Sequence, residues 1–177
     1  MKAFMTVALI ALGVSSGSGA LAQTNSKYPA CNIAKGKEIH FRNGQERDLL
    51  QVSIKGAPCY QATLKIVIKT KEGLLLYSYE APFKPHIAVN WEHIEVPKDP
   101  ASFIDRLFKH GSISSRDLPA LSDPGAEYSL EIDEKSYERL RKENRPVFRH
   151  PVHYEEGRYV IYDEKTKKPV VVLTDAL

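Results

Sequence analysis

The chain has 177 residues, of which 42% are apolar and 27% charged, and a formal charge of +3. This is the composition of an ordinary globular protein, long enough for one domain with its own core. So small a charge argues against nucleic acid as the partner, since phosphate binding wants a large one-sided positive field, and no segment after residue 22 is apolar enough for a membrane span.

Met1-Lys2 is a short positive start, Ala3 to Val14 an apolar run, and Ala20-Leu21-Ala22 a small-x-small pattern before Gln23. That is the layout of a secretory signal peptide, and its apolar part is too short to span a bilayer. Residues 1–22 are therefore expected to be cleaved, leaving 155 residues with a formal charge of +2. The expected compartment is the periplasm, with release from the cell as the alternative. The chain has two cysteines, Cys31 and Cys59. In an exported chain an even count favours a disulfide, and closing a loop of that length stabilises a fold by roughly 3–4 kcal/mol in the chain-entropy picture. A metal pair or a reactive thiol is the alternative; the wide spacing, without C-x-x-C character, speaks against both. Residues 23–36 read as a polar tail pinned by Cys31, and residues 37–177 as a single α+β domain.

Within that domain Lys37 to Arg42 alternates, with Ile39 and Phe41 on one side, and Asn43-Gly44 suits a hairpin turn. The return strand is Asp48 to Ile54, with Leu50, Val52 and Ile54 on one face. Tyr60 to Thr70 is the strongest strand: Tyr60, Ala62, Leu64, Ile66 and Ile68 face one way, and Gln61, Thr63, Lys65 and Lys69 the other. Alternation of that length marks an antiparallel sheet with one buried face. A turn at Lys71-Glu72-Gly73 leads into Leu74 to Tyr79, so a β-meander opens the domain. Pro82 and Pro85 then break regular structure, and a further short strand is expected within Ile87–Asn90 or Trp91–Val96.

A helix is expected from Pro100 to His110, capped by Asp99 and closed by Gly111 in a left-handed conformation. Phe103, Ile104, Leu107 and Phe108 make its apolar stripe. Ser112 to Ser115 reads as loop. Tyr128 to Ile132 alternates as a short strand, and a second helix follows from about Glu134 to Glu143, facing the core through Tyr137 and Leu140 alone. Val147–Tyr154 and Arg158–Tyr162 form a hairpin around Glu155-Glu156-Gly157; Asp163–Lys168 is a charged loop before the last strand, Pro169–Leu173. The expected architecture is one antiparallel sheet with two helices packed against it or at its edge.

Three clusters carry possible chemistry. His150 and His153, with Glu155 beside them, are ligand types that zinc or another transition metal would choose, although residues three apart on a strand point to opposite faces. Trp91, His93 and Glu95 share one face of an extended segment and suit a recognition surface, unless Trp91 plugs the core. Arg145 and Arg149, with Arg139, Arg141 and Lys142 near them, suit an anionic partner. The interleaved Glu134, Glu138 and Glu143 make a solvated mixed-charge helix the competing reading. No nucleophile motif, phosphate cradle or dinucleotide fingerprint is present.

The expectation is an exported non-catalytic protein, monomeric or a small oligomer, that binds a protein or envelope component without a cofactor. Its contact regions would be Pro82–Trp91 and Asp163–Lys168. The alternative is a metal-binding protein or metal-dependent enzyme built on His150 and His153.

Overall fold

The computed structural model describes residues 30–42, 46–86, 100–123 and 127–176. The leader, the Asn43-Gly44 turn, the Asp99 cap, the strand expected within 87–96 and the trio Trp91, His93 and Glu95 lie outside the described residues.

Four strands, β1 (Cys31–Ile39), β2 (Asp48–Gly56), β3 (Thr63–Lys69) and β4 (Leu75–Pro82), form an antiparallel meander in sequence order. The alternation that announces β3 sets its faces: Ala62, Leu64, Ile66 and Ile68 are wholly buried, while Thr63 and Lys65 are exposed. Tyr60 falls in a 3-10 turn, Cys59–Gln61, ahead of the strand. Residues 31–36, expected as a pinned tail, belong to β1, paired along its whole length from Cys31↔Gly56 to Ile39↔Asp48. Cys31 is bonded to Cys59 with Cα atoms 4.7 Å apart, which ties the start of β1 to the turn leading into β3.

The single expected sheet is two. The second has the order β5-β7-β8-β9-β6, built from β5 (Ser112–Ser114), β6 (Tyr128–Leu130), β7 (Pro146–His153), β8 (Glu156–Asp163) and β9 (Lys168–Ala176). Ser112 to Ser114 is thus an edge strand rather than loop, paired with Pro146–Phe148.

Along β7 and β8 alternate residues go to opposite sides, so the second sheet is the middle layer of three. Phe148 and Val160 join Leu50, Val52, Ile66 and Ile68 of the meander in one core. Val147, Tyr159 and Ile161 join Tyr137 and Leu140 in another. A register shift against Tyr159 and Val160 lets β9 serve both sides, with Val171 in the first core and Val172 and Leu173 in the second. Each large aliphatic side chain buried in this way contributes about 1.5–3 kcal/mol of transfer free energy.

Helix α1 (Pro100–His110) has the expected bounds and buries Phe103, Ile104 and Leu107 in the first core. Lys35 Nζ pairs with Asp105 at 2.7 Å, and Lys37 Nζ donates to the Phe108 carbonyl at 2.8 Å, fastening α1 to β1. Helix α2 (Glu134–Lys142) faces the second core through Tyr137 and Leu140, and Asp133 caps it by accepting from the Ser136 N–H at 3.0 Å. Among the described residues no helix is long and apolar enough to cross a membrane.

Gly111 closes α1, but not through a left-handed conformation, since the positive-φ glycines of the described chain are Gly56 and Gly73. Its role is close approach. A Cβ at Gly111 would sit 2.5 Å from the Leu107 carbonyl oxygen and 3.0 Å from that of Arg149. The Arg149 N–H donates to the Gly111 carbonyl at 2.7 Å, so the helix end is clipped directly to β7.

Candidate functional site

Clipping α1 to β7 leaves a cleft of about 280 Å³ between them. One wall is α1, through Phe103, Arg106, Leu107 and His110. The other is Arg149, His150 and Pro151 of β7, with Tyr154 at the mouth and His86 at the end of the Lys84–His86 turn. The volume is at the small end of those that hold small ligands.

Two histidines form the floor, and both are locked. His150 is wholly buried. Its Nδ1 lies 3.0 Å from the Pro151 carbonyl oxygen, which can only accept, so Nδ1 carries the proton and Nε2 is an acceptor. The Tyr77 hydroxyl donates to that Nε2 at 2.7 Å. His86 is held in a similar way: Nδ1 donates to the Pro82 carbonyl at 3.0 Å, and the Tyr79 hydroxyl shares its proton between Nε2, at 3.1 Å, and the Val152 carbonyl, at 3.4 Å. Tyr77 and Tyr79 project from the same face of β4, so the edge of the meander grips β7 and the 84–86 turn through two parallel clasps. The Arg158 guanidinium, 5.7 Å from the centre of the Tyr79 ring, stands over the pair.

Burial tunes all four groups toward neutrality. It pulls His150 down to about 4, aided by the positive charges of Arg158 and His86 but opposed by the Pro151 carbonyl. It lowers His86 as well, against the pull of the Pro82 carbonyl. It pushes Tyr77 up to about 12 and raises Tyr79. At neutral pH both clasps are uncharged hydrogen bonds, so neither histidine is set up to exchange a proton with a ligand.

The metal candidates do not converge. Both ring nitrogens of His150 are engaged, His153 is half-buried, and Glu155 stands exposed in the turn after β7. Among the described residues no group of three or more His, Cys, Asp or Glu side chains is placed to hold a metal.

The arginines disperse in the same way. Arg149 lines the cleft, but its guanidinium pairs with Asp175 at 3.5 Å and lies 5.2 Å from the centre of the Tyr159 ring. It crosses Gly157, where a Cβ would come within 3.0 Å of Arg149 Nε and 2.7 Å of Asp175 Oδ1. Arg145 belongs to a different groove, between β1 and β5, and bonds Glu143. Arg139 bonds Asp163 and Glu143, Arg141 donates to the Leu118 carbonyl, and Lys142 pairs with Glu138. This is the mixed-charge surface that was the competing reading of the sequence.

Of the two expected contact regions, the described part of Pro82–Trp91 reaches the cleft at His86. In the Asp163–Lys168 loop, Asp163 is buried, accepting from Arg139 Nη2 at 2.9 Å and from the Lys165 N–H at 3.0 Å. It organises the turn rather than presenting itself to a partner. The serine run after α1 is likewise structural: the Ser115 hydroxyl donates to the Arg141 carbonyl and accepts from the Arg145 N–H.

Sequence reasoning weighed His86 only as a possible third metal ligand beside His150 and His153, with His93 or Asp163 as the other choices, and missed Tyr77, Tyr79, Arg106 and His110 as site residues. The signal for the tyrosines was their period-2 spacing in the strand expected from Leu74 to Tyr79. Comparison of the chain with protein-family models, with curated proteins and with solved structures finds no match.

Proposed function

We propose that this protein is exported and acts as a non-catalytic binding protein, engaging a protein or envelope component through the cleft between α1 and β7. One observation carries the reading: the cleft is open and mainly apolar, and its two floor histidines, His150 and His86, are fixed as neutral partners of Tyr77 and Tyr79. A site built to bind needs a rigid floor and a shaped mouth, and a site built for acid–base chemistry needs a group poised near the working pH. The locked floor histidines support the first description. Export draws its support from the leader-like first 22 residues and from the Cys31–Cys59 bond, which an oxidising compartment maintains.

The test is capture from an envelope extract of the secreting cell by the oxidised mature protein, alongside a Tyr154→Ala variant that alters the mouth and a Ser129→Arg control. A specific partner retained by the native protein and the control, and lost by Tyr154→Ala, is the expected result. Equal recovery by all three would move the binding surface elsewhere, and turnover of a substrate at the cleft would defeat the non-catalytic reading.

A further inference from the structure

Among the described residues the lining of the cleft includes Arg106, three histidines and Arg149, whose guanidinium is turned to Asp175, and no aspartate or glutamate. Arg106 and His110 are four residues apart on α1, hence on one face, and both are exposed at the mouth. Arg42, Arg139, Arg145 and Arg149 each meet a carboxylate, whereas Arg141 is held by the Leu118 carbonyl. Arg106 instead reaches only the Ser102 hydroxyl at 3.5 Å, and neither it nor His110 makes an ion pair among the described residues.

The end of a helix carries partial negative charge that would oppose an anion. Here it is partly offset: the Leu107 carbonyl accepts from the Gly111 N–H at 2.8 Å, and that of Phe108 from the Lys37 ammonium at 2.8 Å. Nor does the floor offer acceptors to a cationic ligand, because Tyr77 and Tyr79 occupy the Nε2 atoms of His150 and His86. Below Arg106 the wall turns apolar at Phe103, Leu107 and Pro151. The Arg158 guanidinium, beside the Tyr79 ring, adds a positive charge near the floor.

We infer that the cleft takes an apolar group bearing one carboxylate, with the carboxylate held at Arg106 and His110 and the apolar body against Phe103, Leu107 and Pro151. This assignment rests on the binding reading above and gives it a ligand chemistry. An aromatic acid and the C-terminal carboxylate of a peptide ending in an apolar residue present the same features.

The experiment is a chemical-shift titration of the oxidised mature protein with four probes: 3-phenylpropionate, 3-phenylpropanamide, and a hexapeptide ending in phenylalanine as free acid or amide. The expected result is shifts confined to the cleft residues, with each acid bound at least about tenfold more tightly than its amide, the size of one lost charge-assisted contact. Arg106→Gln should erase that preference and leave amide binding unchanged, and the exposed Arg116→Gln should change neither. A tighter peptide acid assigns the carboxylate to a chain terminus; a tighter 3-phenylpropionate assigns it to a small acid. Equal affinity for acid and amide, a preference that survives Arg106→Gln, or no shifts in the cleft would overturn the assignment. Partner capture that depends on Tyr154 would stand regardless, so the binding reading and its ligand chemistry fail separately.

Discussion

The two sides of the middle sheet solve the same problem with opposite chemistry. Toward the meander, polar groups are buried as neutral pairs, Tyr77 with His150 and Tyr79 with His86. Toward α2 they are charged: Asp163 is buried against Arg139, while the half-buried Arg149 meets Asp175 and the exposed Glu143 lies between Arg139 and Arg145. A neutral hydrogen bond needs burial to keep its protonation states fixed, whereas an ion pair must recover in Coulomb energy and hydrogen bonds what it loses in desolvation. The first kind answers to pH near the histidine range and ignores salt. The second answers to salt and to acid in the carboxylate range.

The largest expected effect separates the two sides by pH. His150 titrates near 6.5 when unfolded and at about 4 when folded. Its folded value is depressed, so its contribution is fully present above pH 6.5 and disappears as pH falls toward 4. A shift of this size corresponds to about 3 kcal/mol, and His86 adds to the loss in the same direction. Asp163 and Glu143, held low by their arginines despite burial, lose their contribution only as pH drops below the ordinary carboxylate range. At the other end Tyr77, raised to about 12, costs stability as pH climbs above 10. Urea midpoints measured from pH 3 to 11 should give a plateau between 6.5 and 10 and an acid limb starting near 6.5. An acid limb that begins only below pH 4.5 would assign the pH response to the ionic side alone.

Next in size is the clasp itself. Tyr77→Phe leaves the His150 acceptor unpaired in the core, and His150→Leu strands the Tyr77 hydroxyl. Either change should cost about 1–3 kcal/mol. The double variant should cost clearly less than the sum, with a coupling of about 1–2 kcal/mol. Strict additivity in the cycle would mean that the two groups do not stabilise each other.

How much of this was legible in the sequence depends on how local its cause is. Strand β3 could be read because its outer face is wet: Thr63 and Lys65 alternate with Leu64 and Ile66 within a few residues. Helix α1 was bounded correctly because Pro100 starts it and Gly111 stops it, even though Gly111 serves contact rather than left-handed geometry. The second sheet was not legible. Its pairing joins Ser112–Ser114 to Pro146–Phe148, and Tyr128–Leu130 to Leu173–Asp175, over more than thirty residues, with edge strands too short to show a period. For the site, the position of His150 two residues from Phe148 already implied a buried face, which weakens a metal role. Its partner Tyr77 is 73 residues away, and no spacing rule connects them. Arg106 escaped notice for the opposite reason: it belongs to the polar face of an amphipathic helix, where an arginine needs no explanation until a cleft opens beside it.

The smallest effect tests the ionic side. Asp163 is buried at the end of β8, with Arg139 half-buried against it. Asp163→Asn keeps an oxygen for the Lys165 N–H and Arg139 Nη1 but sets an amide NH2 opposite Arg139 Nη2, so the ion pair and one of its two hydrogen bonds are lost. The cost should be about 1–2 kcal/mol in dilute buffer. Because Arg139 reaches solvent, that cost should shrink as sodium chloride is raised to about 0.5 M, where screening acts over only a few ångströms. The Tyr77→Phe penalty, a matter of neutral groups in a dry core, should not change with salt. A salt-independent loss for Asp163→Asn would mean that the carboxylate matters for shaping the turn through its backbone contacts, and that the contrast between the two faces lies in burial alone.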